Sequence, residues 1–163
     1  MRISLALLAS ALVCGPADAQ LDIRPAVRVA CATVLSIKSF ADLVALFGEP
    51  VEHTVRSDYD QHTGRYRVEF HHASFPGAEA WFAIAEAMGP AIQWQRFVLS
   101  RPGARIPPET WVGERLSGGA ARLGPPDKVA DGRAHYACDE NRELVLVLQR
   151  DKVSAIEWLG YLD

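Results

Sequence analysis

The sequence predicts an α+β fold built as a tandem repeat. Each unit is a helix-turn-helix followed by an antiparallel β-meander, with the helices on one face of the sheet. Two observations predict this fold. The tetrapeptide AIQW at residues 91–94 returns as AIEW at residues 155–158. Upstream, FADLVALFGEP at residues 40–50 aligns without a gap with LSGGAARLGPP at residues 116–126. Because two stretches match in the same order, we interpret the chain as a divergent duplication.

The N-terminal residues have the composition of a secretory signal peptide. Arg2 supplies a positive charge, residues 3–13 form an apolar stretch too short to span a bilayer, and residues 17–19 read Ala-Asp-Ala, a cleavage site. We therefore expect a mature protein that is periplasmic or secreted. The chain divides into a signal peptide over 1–19, a first repeat unit over 20–100 and a second over 101–163, packed as one compact module.

The charge balance bears on the class of partner. The chain carries 17 Lys and Arg against 20 Asp and Glu, a net charge of −3. Nucleic-acid binding requires a basic surface that neutralises phosphates, so this class is disfavoured. The mature part also lacks a run of about 20 apolar residues, and no transmembrane segment is predicted. The partner we expect is another protein.

The cysteines predict a covalent link between the units. Removal of the signal peptide discards Cys14 and leaves Cys31 and Cys138. An even number of cysteines in an exported chain favours a disulfide, and two separate buried thiols are the alternative. A disulfide closing a loop of about 100 residues stabilises by roughly 4–5 kcal/mol in the chain-entropy model.

Helices are predicted at the start of each unit. In the first unit, Pro25 precedes a helix over residues 26–35, and Ser39 with Asp42 forms a capping pair for a helix over residues 40–47. In the second unit, helices are predicted over residues 109–116 and from Ser117 up to Gly124. Strands then follow at 51–59, 65–72, 79–87 and 91–99 in the first unit, and at 133–138, 143–149 and 153–162 in the second.

Alternation along the strands assigns their faces. Ile92 with Trp94, and Ile156 with Trp158, are expected to point towards the helices, where each large aromatic ring fills the gap above the sheet. The opposite face, which we call the open face, is expected to bind the protein partner. The residues predicted on it are Arg65, Arg67, Glu69, His71, Gln93, Gln95, Phe97, Glu157, Leu159 and Tyr161.

The order of helix, LGxP, meander and a closing DKVSAIEW resembles the outer-membrane assembly lipoproteins of the SmpA/OmlA (BamE) type. A tandem pair of such units in one exported chain is similar to the beta-lactamase inhibitory protein family. The resemblance implies a scaffold that binds proteins, as an envelope assembly factor, an inhibitor or an immunity-type protein. The residues that carry it are Phe47, Gly48, Pro50, Ile92 and Trp94 in the first unit, and Leu123, Gly124, Pro126, Tyr136, Leu144, Leu146, Leu148, Val153, Ile156 and Trp158 in the second.

No catalytic spacing stands out in the sequence. The patterns G-x-S-x-G, H-E-x-x-H, C-x-x-C and G-x-x-x-x-G-K-[ST] are absent, and we expect no catalysis and no cofactor. The alternative is a small periplasmic metal-binding protein or hydrolase that uses the histidines near residues 62–72. His71 and His72 are adjacent on a strand and should point to opposite faces, so a metal would need His53 or His62 as a second ligand.

The stretch DYDQHTGRYRVE at residues 58–69 resembles a calcium loop in part. Asp58, Asp60, His62 and Glu69 fall at positions 1, 3, 5 and 12 of such a loop. The glycine stands at position 7, where the sharp turn needs it at position 6. We therefore interpret the stretch as the polar tip of a hairpin.

Overall fold

The computed structural model describes residues 24–60, 64–101 and 112–160. The predicted signal peptide, His62, Tyr161 and most of the segment that links the two predicted units fall outside these ranges. The helices are α1 (Pro25–Leu35), α2 (Phe40–Phe47) and α3 (Leu116–Leu123), and a 3₁₀ turn spans Glu86–Met88. The strands are β1 (Glu52–Tyr59), β2 (Arg67–Phe75), β3 (Ala78–Ala85), β4 (Gln93–Leu99), β5 (Lys128–Ala130), β6 (Arg133–Asp139), β7 (Arg142–Gln149) and β8 (Lys152–Gly160).

All eight strands belong to one antiparallel sheet in the order β1-β2-β3-β4-β8-β7-β6-β5. The last strand of the chain pairs with β4 at the centre, where Arg96 lies opposite Leu159 and Leu99 lies opposite Ile156. The two outer strands are β1 and β5. The sheet is open, because these two edge strands lie at opposite ends of the order.

The predicted fold class is therefore wrong: the chain does not form a tandem repeat of helix-turn-helix units, each with its own meander. The pairing of β4 with β8 merges all strands into one sheet. Within the described part of 101–163, α3 is the single α-helix. The helix predicted over 109–116 does not continue through Val112–Arg115, because the Gly113 N–H donates to the Val153 carbonyl at 2.6 Å and Arg115 forms a bridge with Lys152.

Local signals explain the helix ends. The Ser39 hydroxyl accepts from the Asp42 N–H at 3.2 Å, and the Asp42 carboxylate accepts from the Ser39 N–H at 2.9 Å, so the predicted capping box is confirmed. Gly48 ends α2 with φ of +83°, a conformation that glycine adopts without strain. Among the described residues no single helix is long and apolar enough to cross a membrane, although α1 and α2, bent by 106° at their junction, pass that test together.

The helices pack on one face of the sheet and bury a single core. Helix α1 comes first in the chain yet packs against β6 and β7, which come late. The two repeated tryptophans confirm their predicted direction: Trp158 Nε1 donates to the Ala30 carbonyl at 3.2 Å, and Trp94 Nε1 donates to the Ile37 carbonyl at 3.4 Å. The largest fully buried side chains are Tyr136, Phe82, Phe97, Leu43, Leu99, Leu123, Leu144, Leu146, Ile156, Val27 and Val34.

A disulfide joins Cys31 in α1 to Cys138 in β6, with the two Cα atoms 5.9 Å apart. The predicted pairing is therefore confirmed. The bond fastens the first helix to the strands beneath it. Such a bond is consistent with an oxidising compartment.

Strand β4 contains a bulge that changes the direction of its side chains. Phe82 lies opposite Trp94 and Trp81 lies opposite Arg96, so Gln95 is an extra residue in β4. After the bulge, Phe97 faces the helices and is fully buried. The expectation that Phe97 lies on the open face is wrong, because the strict two-residue alternation used to predict it does not hold across the extra residue.

Candidate interaction face

The open face is lined by side chains that alternate with the core. Trp81 precedes the buried Phe82, Arg133 precedes the buried Ala134, and Glu157 lies between two residues that face the helices. None of the three helices in the described ranges packs on this side. The polar and aromatic side chains of the open face include Thr54, Arg56, Asp58, Phe70, His72, Glu79, Trp81, Gln93, Arg96, Arg133, His135, Glu143 and Glu157.

Trp81 is the centre of a stacked cluster. His72 on β2 and Arg96 on β4 are its direct cross-strand neighbours. The His72 ring stacks on the indole at 4.6 Å between centroids and 12° between planes, and the Arg96 guanidinium lies 4.8 Å from the indole centroid. Trp81 thus presents a partly exposed ring held between an imidazole and a cation, a geometry favourable for both contacts.

Glu157 fixes two arginines beside this cluster. Arg96 and Arg133 each donate to the same carboxylate oxygen, at 3.1 and 2.8 Å. The Glu157 side chain is only 6% exposed, whereas the two arginine side chains are 42% and 37% exposed. One buried carboxylate therefore orients two partly exposed guanidinium groups, and these three side chains together carry one net positive charge.

Further contacts extend the cluster in both directions across the sheet. On the β1 side, the Arg56 guanidinium lies 5.3 Å from the Phe70 ring centroid. On the β6 side, His135 Nδ1 lies 3.1 Å from a carboxylate oxygen of Glu143. From β1 to β4, Arg56 and Arg96 thus flank the rings of Phe70, His72 and Trp81, and a histidine–carboxylate contact lies on β6 and β7.

The structure reverses the predicted faces of β2. Glu69 and His71 lie on the helix side together with the buried Ala73 and Phe75, and Arg67 shares their side by alternation. The predicted position of these residues on the open face is wrong. The C-terminal half of β2 buries Ala73 and Phe75 in the core, and the alternation that begins there determines which side of the sheet the earlier residues face. Arg65 precedes β2 and is exposed.

The predicted residues on the later strands divide differently. Gln93 lies opposite Ala83 on the open side, and Gln95 occupies the bulge. Glu157 and Leu159 do face the open side, although Glu157 is buried under two arginines. Tyr161 lies outside the described residues.

The histidines near 62–72 do not converge on a metal site. His71 and His72 point to opposite faces, as their adjacency predicts: His71 stacks on Phe82 and His72 on Trp81. His53 does approach His71, with Nε2 of the first 3.0 Å from Nδ1 of the second. Within the described ranges, no three His, Cys, Asp or Glu side chains are grouped to hold a metal ion.

The His53–His71 pair is a packed element of the fold. The Phe40 ring stacks on His53 at 4.4 Å, and the Phe82 ring stacks on His71 at 4.7 Å. Burial lowers the pKa of His71 below its ordinary value, and the nearby His53 acts in the same direction, while Glu69 opposes them. The arrangement therefore favours a neutral His71.

The candidate calcium loop does not bring its ligands together. Asp58 lies opposite Val68 on the open side of the β1–β2 pair, whereas Glu69 lies on the helix side. The Asp58 carboxylate accepts from the Tyr59 N–H at 2.8 Å. His62 lies outside the described residues, and β1 and β2 on either side of it pair antiparallel.

Sequence reasoning missed the central residues of the open face. Trp81 belongs to a strand whose two faces are both apolar, so alternation alone does not distinguish the buried ring from the exposed one. Arg96 follows the bulge, and its approach to Glu157 depends on the β4–β8 pairing. The available signal was Trp81 itself, a large aromatic residue next to an equally apolar neighbour.

Comparisons of the chain with protein-family models, with curated proteins and with solved structures found no match. The resemblance to the SmpA/OmlA type stays an expectation from the residues that carry it. The chemistry of the open face is the basis for inferring a function.

Proposed function

We propose that the chain is an exported, non-enzymatic protein-binding module that holds an acidic surface of its partner on the open face. The observation that carries this proposal is the cluster of Trp81, Arg96 and Arg133, with both arginines anchored on the buried Glu157. The same cluster indicates the chemistry of the partner's surface. We expect carboxylates that contact the two arginines and an apolar group that covers the exposed part of the Trp81 indole.

The residue types in the cluster suit an interface. Tryptophan and arginine are enriched among residues that dominate binding energy, especially near the centre of a contact surface. Here the indole is held on both sides, by His72 and Arg96, so little side-chain freedom remains to be lost on binding. Preorganisation of this kind lowers the entropic cost of association.

The charge arrangement favours an acidic partner. Each guanidinium carries five N–H donors, and Arg96 and Arg133 each direct one nitrogen to Glu157. Arg96 Nε is buried, but both guanidinium groups are partly exposed, and their exposed N–H donors match the two oxygens of an incoming carboxylate. Glu157 lies buried beneath the arginines, where the partner does not contact it. Its role in the proposal is therefore to position Arg96 and Arg133.

Export is supported by two features. The disulfide is consistent with an oxidising compartment, and the N-terminal sequence predicts a secretory leader, so we place the mature chain in the periplasm or the extracellular medium. The partner would then be an envelope protein under assembly, a secreted enzyme under inhibition, or a toxin under neutralisation.

Site-specific photocrosslinking tests the face. A benzophenone amino acid is introduced in cells of the source organism at one of two exposed positions. One is Glu79, two residues from Trp81 on the open face, and the other is Leu46 on α2. We expect one discrete protein adduct from position 79 that disappears when Trp81→Ala is added. An adduct of the same protein from position 46 that survives Trp81→Ala would contradict the proposed face.

The charge component has its own test with the captured protein. Arg96→Glu with Arg133→Glu should abolish binding, and affinity of the wild-type chain should fall as salt rises. The matched control is Arg96→Lys with Arg133→Lys, which keeps both charges but not the planar fork and should bind with intermediate affinity. Equal affinity of the Glu and Lys pairs would contradict an acidic contact at this point.

A further inference from the structure

Strand β1 is a long, uncovered edge of the sheet. All eight of its residues are exposed, and within the described ranges only β2 pairs with it. The opposite edge, β5, has three residues. A long exposed edge presents free N–H and C=O groups that pair readily with another strand.

The outward backbone groups of β1 belong to its odd-numbered residues. The Asp60 N–H donates to the Tyr66 carbonyl at 3.0 Å, and the register runs without a break back to Glu52. Because hydrogen-bonding direction alternates along an antiparallel strand, the N–H and C=O groups of Val55, Ser57 and Tyr59 point away from β2. The Tyr59 N–H accordingly meets the Asp58 carboxylate rather than the ladder.

The side chains of this edge are unusual for a solvated strand. Val55 is 50% exposed and Tyr59 is 67% exposed, and both lie on the helix side of the sheet. Arg56 and Asp58 lie on the open side. The edge thus carries two apolar groups on one face and two opposite charges on the other.

We propose that β1 is a homodimer interface, where two copies pair antiparallel with Ser57 of each copy opposite Ser57 of the other. In this register Val55 lies opposite Tyr59 of the second copy, and Arg56 lies opposite Asp58 of the second copy. By two-fold symmetry each of these cross-strand pairs occurs twice. Apolar pairs and opposite charges directly across an antiparallel pair are the stabilising combinations.

Other registers are less favourable. The outward N–H and C=O groups of one copy must pair with the outward N–H and C=O groups of the other, so odd-numbered residues lie opposite odd-numbered residues. The two-fold axis therefore passes through a residue and not between two residues. If the two-fold axis passes through Val55, Glu52 of one copy lies opposite Asp58 of the other. If it passes through Arg56, Arg56 of one copy lies opposite Arg56 of the other. Both registers place like charges directly across the strand pair. A centre at Thr54 sets Ser57 opposite Val51, whose N–H already donates to the Ser74 carbonyl of β2, and leaves Tyr59 with no partner residue within β1.

The two copies would form one continuous sheet with both open faces on the same side. In the proposed register even-numbered residues lie opposite even-numbered residues, and in β1 these are the residues of the open face. The dimer does not depend on the protein-binding role of the open face. It uses the outer edge of β1, including Arg56 and Asp58, whereas that role is centred on Trp81, Arg96 and Arg133 on β3, β4 and β6.

Sedimentation velocity of the purified mature chain over a concentration series tests the dimer. We expect the weight-average mass to rise from one copy to two, and Ser57→Pro to hold the chain monomeric by removing an outward N–H. The matched control is Ser57→Ala, which also loses the hydrogen bond from Arg67 but keeps that N–H, and should still dimerise. A wild-type chain that stays monomeric throughout, as it would if the edge received a strand of another protein, overturns the proposal.

Charge exchange tests the register. Arg56→Asp alone and Asp58→Arg alone should each weaken dimerisation at least tenfold, because each places like charges opposite each other twice. The double variant Arg56→Asp/Asp58→Arg restores both pairs and should recover most of the wild-type affinity. Failure of the double variant to recover, with its thermal unfolding unchanged, overturns the register centred on Ser57.

Discussion

His53 and His71 lie on neighbouring strands with Nε2 and Nδ1 3.0 Å apart, and Phe40 and Phe82 stack on their outer faces. The four rings connect α2 to three strands of the sheet. Two imidazoles at this distance share one proton between their nitrogens only while at least one ring is neutral. Protonation of both rings places two positive charges in contact, so the stack is sensitive to pH.

Acidification should destabilise the fold through His71. Burial lowers the pKa of His71 in the folded state, so the unfolded chain binds more protons between the folded and unfolded pKa values. Stability then rises with pH through this window and falls as the pH drops below about 6.5. We expect a lower melting temperature at about pH 5 than at about pH 7.5, a window in which Asp and Glu with ordinary pKa values remain mostly ionised.

The variant His71→Phe isolates this contribution. Phenylalanine keeps the stack with Phe82 but cannot take up a proton. Its melting temperature should therefore change less between the two pH values than that of the wild-type chain. The control His72→Phe alters the histidine on the open face and should keep the wild-type dependence. An unchanged slope in His71→Phe would assign the effect to another group.

Loss of the disulfide should lower stability substantially. Cys31→Ser frees the loop that ends at Cys138, and native disulfides of this kind contribute typically about 2–5 kcal/mol. The double variant with Cys138→Ser should cost no more than the single variant, because the bond is already absent. Urea unfolding measures both, and thiol titration of the unfolded mature wild-type chain should find no free thiol.

Truncating a large side chain should lower the free energy of unfolding more on the helix side of the sheet than on the open face. Phe97→Ala and Trp158→Ala remove buried rings and should each cost roughly 3–5 kcal/mol in free energy of unfolding. Trp81→Ala removes the stacking contact with His72 and the cation–π contact with Arg96, and should lower the free energy of unfolding by about 1 kcal/mol. Urea melts of the three variants check this order. A cost at Trp81 equal to that at Phe97 would place its ring in the core.

Gly160 should not tolerate a side chain. A Cβ built at this position would overlap the Trp94 carbonyl oxygen, next to the bulge in β4. Backbone yields less readily than a flexible side chain, so Gly160→Ala should cost about 1–3 kcal/mol. Amide hydrogen exchange should accelerate along β4 and β8 and stay unchanged between β6 and β7, which serve as an internal reference.

Much of the secondary structure was predictable because its signals are local. Ser39, Asp42 and Gly48 define the ends of α2 by direct hydrogen bonding and backbone conformation. The disulfide followed from the number of cysteines and the predicted compartment. Strand β5 was missed because its three residues are too short to show alternation.

The architecture and the site depend on information that is not local. Pairing of β4 with β8 joins residues about sixty positions apart and merges the two expected units. The face of β2 is ambiguous from alternation, since Val68 and Phe70 compete with Ala73 and Phe75 for the core. The bulge at Gln95 then reverses the face after Trp94, and with it the position of Phe97.

The attachment of α1 to the last strands has a consequence for the timing of biosynthesis. A ribosome makes Cys31 early and Cys138 107 residues later, and at about 5–20 residues per second that interval is roughly 5–20 s. During this delay β6 and β7, the strands that α1 packs against, do not yet exist, and the Cys31 thiol is without its disulfide partner. The N-terminal helix is therefore among the first parts of the chain to be synthesised and among the last to reach its final place.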